Sequence, residues 1–422
     1  MVKKLDMDIA LYTLTSPLHD ENAVNAVSGD FVKGIEEALG FSMDFRGPDF
    51  EGYGSHDLDI VYVRTGGTEG LFLEILPLLK GRIVLLTSGK SNSLAASMEI
   101  MSYLNNIGRT GEILHGSDIY IAERIALLAK VNVARKSLAG KRLGVIGKPS
   151  DWLISSNADR KAVKEKLGIE IVDVPIDELV AEMTSVTSPE SISGLEEIVC
   201  KELKSNATDP VRRFVDGAFD IYRALKKIIS RYGLSGMTLR CFDLLSAVGN
   251  TGCLALALLN SEGIPAGCEG DVPALVTMAV GHALTGQCGF QANPSRIDPE
   301  RGEMLLAHCT VPFDMVNRYS FNTHFESGIG IAVHGEMPEG DAVIFKLSGD
   351  LSRSFVCGAK LVENRYEKDL CRTQIIVTLS SSDDEMKKIC RDYFLESPIG
   401  NHHVVFTGIR KPVFEAFCDS LF

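Results

Sequence analysis

The sequence has few aromatic residues, no paired cysteine motif and no long hydrophobic run. Aromatic residues make up 7% of the 422 residues, and tryptophan occurs only once. The ten cysteines are scattered, none forms a CxxC pair, and many lie inside apolar runs, which is typical of small buried residues in a reducing compartment. A cysteine zinc site and a transmembrane helix are therefore not expected. We predict a soluble cytoplasmic protein.

Basic clusters are also lacking, and acidic residues are in excess. The net charge is −13, from 43 basic and 56 acidic residues. Such a field repels phosphate backbones and anionic lipid headgroups, so we expect neither nucleic acid nor a membrane as partner. At the N-terminus Asp6 and Asp8 interrupt the apolar residues, which favours a strand over a signal peptide. The partner that fits is a small neutral substrate, or an anion held only locally.

The first third of the chain alternates short β-rich apolar runs with helical patterns. The runs Ile9–Leu14, Leu58–Val63 and Ile83–Thr87 predict strands. The helical patterns that follow cover about Glu21–Leu39, Thr68–Leu79, Asn92–Ile107 and Ser117–Leu138. This βα repetition predicts a parallel sheet with helices on both faces, in an N-terminal α/β domain of residues 1–139.

The pattern restarts at Lys141 with the strand RLGVIG, and further βα units continue to about residue 302. From Glu303 onward, short β-runs separated by Gly, Pro, Asp or Asn predict an antiparallel barrel or sandwich. We therefore expect an α/β protein with a second α/β domain at 140–302, which carries the metal-site residues, and a C-terminal β-rich domain at 303–422.

Two segments of the first domain invite comparison with phosphate-binding loops. The segment SGKS lacks the earlier glycine of a P-loop, because Val84 holds that position, so a turn into a helix is favoured. The segment RTGGTE follows a buried strand at the sheet edge where open α/β folds bind ligands. Thr65, Thr68 and Glu69 are therefore candidate substrate-binding residues. A helix-capping role of Thr65 or Thr68 is an equal alternative.

The residues best suited to chemistry lie in the C-terminal half. Glu269 stands in a glycine-flanked turn of an apolar run, where a carboxylate needs a partner or a ligand. Asp271 is predicted to cap the next helix. His308 lies in an apolar strand, where a hydrogen-bonded core role is the commoner alternative. His402 and His403 open a strand, and alternation directs them to opposite faces, so only one faces a given site.

Five segments together resemble the L-fucose isomerase and L-arabinose isomerase group, particularly its shorter fucose-isomerase-like branch. They are GKPSDWLISS, GCEGDVPALVTM, FQANPSRID, LLAHCTVP and NHHVVF. The resemblance spans the second and C-terminal domains and, more loosely, the first. It implies two Rossmann-like parallel-sheet domains followed by a C-terminal antiparallel β-barrel-like domain. It also implies aldose–ketose conversion through an enediol with a divalent metal, usually Mn²⁺.

The resemblance also implies roles for particular residues. Glu269 falls on the family's metal ligand and proton-transfer base, Asn293 on or next to the second acidic ligand, and His403 on the histidine ligand. His308 matches a further histidine ligand of arabinose isomerases. Family members are trimers or hexamers that share active-site residues between subunits, which implies a homo-oligomer. Separately, Trp152 is a candidate for stacking on a sugar, with burial at the domain boundary as an equal alternative.

Asn293 departs from the family pattern, because an amide supplies one oxygen, no negative charge and no base. The leading hypothesis is a metal-dependent aldose–ketose isomerase with Glu269 as its base. The alternative is a carbohydrate-binding or regulatory homologue with weak or no turnover. One fewer carboxylate leaves a more Lewis-acidic metal, which favours a sugar carrying a carboxylate, sulfonate or phosphate.

Overall fold

The computed structural model describes residues 7–185 and 194–421. The chain divides into two compact units, the first ending at Val133 and the second beginning at Ala134. Each unit contains a parallel sheet flanked by helices, and the second also contains a closed antiparallel barrel. The predicted α/β fold class is therefore confirmed. Within the described residues, no helix combines the length and the apolar character needed to cross a membrane.

The first unit is built on a five-stranded parallel sheet in the order β2-β1-β3-β4-β5. Its strands are β1 Ile9–Leu14, β2 Asp44–Gly47, β3 Leu58–Val63, β4 Ile83–Leu86 and β5 Gly111–Leu114. Its helices are α1 Glu21–Leu39, α2 Glu69–Ile75, α3 Ser93–Asn106 and most of α4 Asp118–Leu138, whose last residues belong to the second unit, with a 3₁₀ turn at Leu76–Leu78. The ends of α1 follow from its sequence, because Asp20 caps the N-terminus and Gly40 adopts the left-handed conformation at the C-terminus.

The second unit begins with a four-stranded parallel sheet in the order β7-β6-β8-β9. These strands are β6 Arg142–Ile146, β7 Glu170–Val174, β8 Gly236–Leu239 and β9 Ala266–Cys268. The helices are α5 Arg160–Leu167, α6 Ile176–Ser185, α7 Gly194–Asn206, α8 Asp209–Arg212, α9 Val215–Tyr232, α10 Asp243–Ala247, α11 Cys253–Ser261 and α12 Val272–Thr285. The carboxyl ends of β6, β8 and β9 lie at one edge of this sheet, where open α/β folds place their ligands.

The barrel closes in the order β10-β11-β16-β15-β14-β17, with antiparallel neighbours throughout. Its strands are β10 Phe290–Asp298, β11 Glu303–His308, β14 Gly340–Leu347, β15 Ser354–Arg365, β16 Thr373–Leu379 and β17 His403–Thr407. The remaining elements are a 3₁₀ turn Phe313–Met315, the ribbon β12 Arg318–Asn322 and β13 Ala332–Glu336, α13 Asp383–Lys388, a π-helical segment Ile389–Glu396 and α14 Pro412–Asp419.

One hydrophobic core runs from the second sheet into the barrel. Buried side chains of α9 and α11, such as Phe219 and Leu258, belong to the same cluster as Phe290, Ile344 and Val405 of the barrel. The second parallel sheet and the barrel thus belong to the same compact unit. The barrel's first strand, β10, lies before residue 303, where the sequence pattern predicts the start of the β-rich domain.

Candidate active site

Glu269 occupies a tight turn at the carboxyl end of β9. It has a φ of 63°, in the left-handed region that a non-glycine residue adopts only when its surroundings hold it there. The next residue, Gly270, has a φ of 70°, and a Cβ at this position would lie 2.5 Å from the carbonyl oxygen of Lys148. Only glycine fits there. Close backbone packing therefore fixes the direction in which the Glu269 side chain leaves the sheet.

Gln291 holds the residue before this turn in place. Its Oε1 accepts a hydrogen bond of 2.8 Å from the backbone N–H of Cys268, and the side chain is buried inside the start of β10. On the other side, the backbone N–H of Ser150 donates to the carbonyl oxygen of Glu269 at 2.9 Å. The strained residue is thus braced from the barrel and from the loop after β6. Strained backbone conformations that several contacts hold in place are common at functional sites.

Glu269, His308 and His402 form a cluster that could hold a metal ion. Each offers one ligand atom, and these atoms lie within 4.8 Å of one another. The three residues come from the end of β9, the last residue of β11 and the residue before β17. Nδ1 of His308 is engaged with Oγ1 of Thr310 at 3.0 Å, so its Nε2 is the nitrogen that remains for a metal. One carboxylate and two imidazoles form a donor set that divalent transition metals accept.

His402 carries the clearest sign that this cluster fits a metal. The side chain is fully buried, and its Nδ1–H donates to Oδ2 of Asp271 at 2.8 Å. Its Nε2 lies 3.6 Å from Oε1 of Glu269, and within the described part of the chain it has no hydrogen-bond partner. A buried ring nitrogen without a partner costs free energy unless a ligand satisfies it. A metal between His402, His308 and Glu269 would do so.

Charge interactions shift the pKa values of the cluster in opposite directions. Burial raises the pKa of Glu269, but the neighbouring His402, His308 and the Trp152 N–H outweigh burial and lower it to about 2. Burial lowers the pKa of His402, but its contacts with Asp271 and Glu269 outweigh burial and raise the pKa to about 9. Burial beside His402 lowers the pKa of His308 to about 3. Glu269 is thus held in its ionised form.

Trp152 contacts Glu269 directly. The indole Nε1–H donates to Oε2 of Glu269 at 2.6 Å, and the ring packs edge-on against Phe242, with centroids 4.9 Å apart. The side chain remains 53% exposed, so burial at a domain boundary, one of the two sequence alternatives, does not describe it. The exposed Trp152 ring thus lies beside the Glu269 carboxylate, and stacking on a sugar stays a prediction.

A cavity of about 140 Å³ opens beside the cluster. Its wall includes Glu269, His308 and Asn293, together with five of the ten cysteines: Cys241, Cys253, Cys268, Cys309 and Cys371. Asn293 thus lies on the cavity wall, and its Oδ1 accepts a hydrogen bond of 2.7 Å from Nδ2 of Asn401. Among the described residues that line the cavity, none is a lysine or arginine that could neutralise a bound anion.

The structure differs from the sequence prediction at the histidine pair. His403 was the predicted ligand, but it points into the barrel, where its Nδ1–H donates to the carbonyl of Asn401 and its Nε2 accepts from the Tyr393 hydroxyl, both at 2.8 Å. Its neighbour His402 joins Glu269 and His308 instead. The physical reason is strand alternation: adjacent side chains diverge, and His403 is the one that packs among the barrel aromatics.

The predicted substrate residues of the first unit hold their own loop together. Thr65 and Thr68 are completely buried. Oγ1 of Thr65 accepts from the backbone N–H of Ser16 at 2.9 Å, and the Thr68 hydroxyl donates to the carbonyl of Thr65 at 3.1 Å. Thr68 precedes α2 without a side-chain capping bond, and Glu69 begins the helix. Both hydroxyls are therefore occupied by structural bonds, and the capping-box alternative is not formed.

Sequence reasoning did not place His402 in the cluster with Glu269 and His308, nor Gln291 and Asp271 beside it. The pair His402-His403 itself was the signal for the histidine, but choosing between the two required the barrel. Asp271 was recognised, and its Oδ1 does accept from the backbone N–H of Ala274 at 2.8 Å as the predicted N-cap. Its second oxygen, which binds His402, was not foreseen, because nothing in the local sequence links residues 271 and 402.

Comparison with curated proteins finds sulfoquinovose isomerases. The chain is 24% identical over 266 residues to those of Priestia aryabhattai and of Priestia megaterium, and the match covers 61% of this chain and 59% of each relative. The sulfoquinovose isomerase of a Clostridium species (strain MSTE9) is 30% identical over 95 residues, which are 22% of this chain and 21% of that protein. The chain thus spans less than two thirds of the relatives it matches. No family model matches it.

Proposed function

We propose that this protein is a metal-dependent aldose–ketose isomerase whose active site is the cavity beside Glu269, His308 and His402. The observation that carries the proposal is this cluster itself, in which the buried Nε2 of His402 has no hydrogen-bond partner within the described residues. The three curated relatives, all named sulfoquinovose isomerase, support the same class of reaction.

The roles of the chain's own residues follow from their contacts. Glu269 accepts the proton from C2, the carbon next to the aldose carbonyl, and returns it to the carbonyl carbon C1, which is general acid–base work for a carboxylate held within reach. The proton of the C2 hydroxyl passes to the carbonyl oxygen, so that the carbonyl group ends at C2 and the hydroxyl group at C1. The Trp152 N–H and the turn at Gly270 fix the orientation of this carboxylate. Asn293 contributes a neutral oxygen at the cavity wall. The exposed face of Trp152 stacks on the sugar.

Glu269, His308 and His402 would hold the metal, with Asn293 as an additional oxygen ligand. A divalent metal, which we propose to be Mn²⁺, would supply Lewis acidity toward the sugar oxygens and so offset the negative charge that develops during proton transfer. The apolar and thiol side chains of the wall limit the access of water to that charge. The proposal retains the homo-oligomeric state that the family resemblance implies.

For the substrate we propose sulfoquinovose first, because all three relatives are named after it. The substitution of an amide for a carboxylate at Asn293 also favours an anionic sugar. The cavity wall, in contrast, has no Lys or Arg among its described residues. A sulfonate would therefore rely on the metal and on hydrogen-bond donors, and neutral aldoses belong in the same test.

The test is an isomerisation assay in heavy water. Chelator-treated protein is restored with Mn²⁺ and incubated with sulfoquinovose, L-fucose or L-arabinose, and ketose formation is followed by NMR. Proton transfer through an enediol exchanges with solvent, so we expect deuterium at the carbon next to the carbonyl. Glu269→Gln, which keeps the shape of the side chain but not its charge, should form no ketose. A sugar that raises the melting temperature of the wild type without being converted would contradict the enzyme and favour a binding protein.

A further inference from the structure

Asp271 connects the start of a helix to the candidate ligand His402. Its two oxygens have separate partners: Oδ1 accepts from the backbone N–H of Ala274 in α12, and Oδ2 accepts from Nδ1–H of His402. Asp271 is completely buried, as is His402. A helix cap needs only one oxygen, so the bond to His402 is not explained by capping.

The position of Lys346 shows that the buried Asp271 carboxylate does not depend on His402 for a counter-charge. Its Nζ lies 3.9 Å from Oδ2 of Asp271, and the side chain is buried in β14 of the barrel. Asp271 therefore has a counter-charge and a cap hydrogen bond even without His402. The histidine is not needed to compensate the buried carboxylate. The reverse dependence remains, because His402 needs a fixed acceptor at Nδ1 to direct its Nε2 toward Glu269.

We propose that Asp271 is a positioning residue that holds His402 in the Nδ1–H tautomer, with its Nε2 lone pair directed at Glu269 and His308. An ionised carboxylate only accepts hydrogen bonds, so it selects the tautomer with the proton on Nδ1. Carboxylates that orient a ligating imidazole in this way typically contribute about 10–100-fold in metal affinity. The inference rests on the metal site proposed above, but the tautomer can be observed without a metal once the pH is high enough for the ring to be neutral.

The decisive variant is Asp271→Asn, because it separates the two roles of the side chain. Asparagine is as good an N-cap as aspartate, so its oxygen can still accept from Ala274. Its NH₂ group then faces His402, and a donor there favours the tautomer with the proton on Nε2, where a metal must bind. Asp20→Asn is the matched control, since Asp20 caps α1 through the equivalent bond to the N–H of Ala23 at 2.8 Å and no histidine contact is part of that cap.

Two measurements on the full chain test the proposal. Nitrogen-15 NMR of histidine-labelled, metal-free protein is recorded at a pH high enough for the His402 ring to be neutral, with its signals identified from their loss in His402→Ala. It should show the Nδ1–H tautomer in the wild type and the Nε2–H tautomer in Asp271→Asn. Manganese titration followed by electron paramagnetic resonance should show about 10–100-fold weaker binding by Asp271→Asn and unchanged binding by Asp20→Asn. Far-ultraviolet circular dichroism confirms that the variants are folded.

The outcomes separate this inference from the proposed function. Equal Mn²⁺ affinity of the wild type and Asp271→Asn, with the same His402 tautomer in both, would overturn the positioning role. Should the wild type bind no metal, the proposed metal site is wrong, and an unchanged tautomer in Asp271→Asn would then overturn the inference independently. If Asp271→Asn does not fold, Asp271→Ser takes its place, because serine also caps a helix but offers His402 no carboxylate.

Discussion

The indole N–H of Trp152 donates to Oε2 of Glu269 at 2.6 Å, which joins the only tryptophan of the chain to the candidate catalytic carboxylate. The two residues come from the loop after β6 and from the end of β9, strands that are not neighbours in the sheet. The bond therefore connects the loop after β6 to the turn after β9. It also places a fluorescent group on the side chain that is expected to bind the metal.

Metal binding should therefore change the fluorescence of Trp152. We expect Mn²⁺, which is paramagnetic, to quench the emission saturably in the wild type, with no overlapping signal because the chain has no other tryptophan. In Glu269→Gln the quenching should require a much higher concentration. Mg²⁺, which is not paramagnetic, serves as the control for effects of ionic strength. Saturable quenching that is identical in Glu269→Gln would place the metal elsewhere.

Substitution of the two adjacent histidines separates the structural assignment from the sequence prediction. His402→Ala should weaken Mn²⁺ binding by at least about tenfold, since a ligand is lost and even a residue that only orients a ligand contributes that much. His403→Ala should leave the affinity nearly unchanged. It should instead lower the free energy of unfolding by about 2 kcal/mol or more, because it empties a space between Phe355 and Phe394 and breaks the bond to Tyr393. Urea denaturation and manganese titration of both variants give the two quantities, and the opposite pattern would restore His403 as the ligand.

The fold was largely predictable because its signals are local. The strands β1 and β3 and the helix α1 have the bounds that the apolar periodicity predicts. The start of α12 follows from Asp271 and the proline in its first turn. These features depend on residues close in sequence, which a pattern can display. The closure of the barrel by β10 and β17 joins residues more than a hundred positions apart and had no such signal.

The sequence predicts a site residue only where its type and its neighbours along the chain distinguish it. A glutamate between glycines in an apolar run marked Glu269 without any structure. The choice of His402 over His403 depends on the register of β17 against β10, in which Ala292 pairs with His403. The bond from Trp152 to Glu269 depends on the path of a loop from another strand. Such long-range relations leave no trace in the spacing of one sequence.

The stability of the first unit should depend on pH through Glu112. Arg124 and Arg82 both donate to this carboxylate, which is only 17% exposed. Burial raises its pKa, but the hydrogen bonds and charges of the two arginines outweigh burial and lower the pKa below its ordinary value of 4.5. A group whose pKa is lower in the folded state stabilises the fold above its unfolded pKa, and this contribution is lost as the pH falls through the folded pKa.

Glu112→Gln should accordingly lower the free energy of unfolding at pH 7, by about 2 kcal/mol. The difference from the wild type should shrink as the pH falls below 4.5, where the wild-type carboxyl also becomes neutral. Glu37→Gln is the matched control, because Glu37 pairs with Lys33 on the exposed face of α1 and should contribute less than about 1 kcal/mol at any pH. Urea denaturation at several pH values measures both. A difference that stays constant with pH would contradict the ion-pair account.

Asn293→Asp should tighten metal binding and change the preferred substrate. The new carboxylate would add one negative charge to the cavity wall beside Glu269 and His308. It could still accept the hydrogen bond from Asn401, so the local fold should persist. An extra anionic oxygen ligand raises the affinity for a divalent cation, by an expected tenfold or so, or about 1.4 kcal/mol. If the missing carboxylate is what limits proton transfer, isomerisation of L-fucose or L-arabinose should also rise from a low level.

Ser295→Asp is the matched control for this substitution, because Ser295 lines the same cavity but is exposed at its rim. It adds the same charge at a position from which ligation is not expected, so it reports the general effect of the field alone. Manganese titration and NMR assays with sulfoquinovose and the neutral aldoses complete the comparison. Equal tightening by both variants would reduce the effect of Asn293→Asp to charge alone. A wild type that already converts neutral aldoses at ordinary enzymic rates, with Asn293→Asp no better, would show that Glu269 suffices as the base and that the amide is only a neutral ligand or a turn residue.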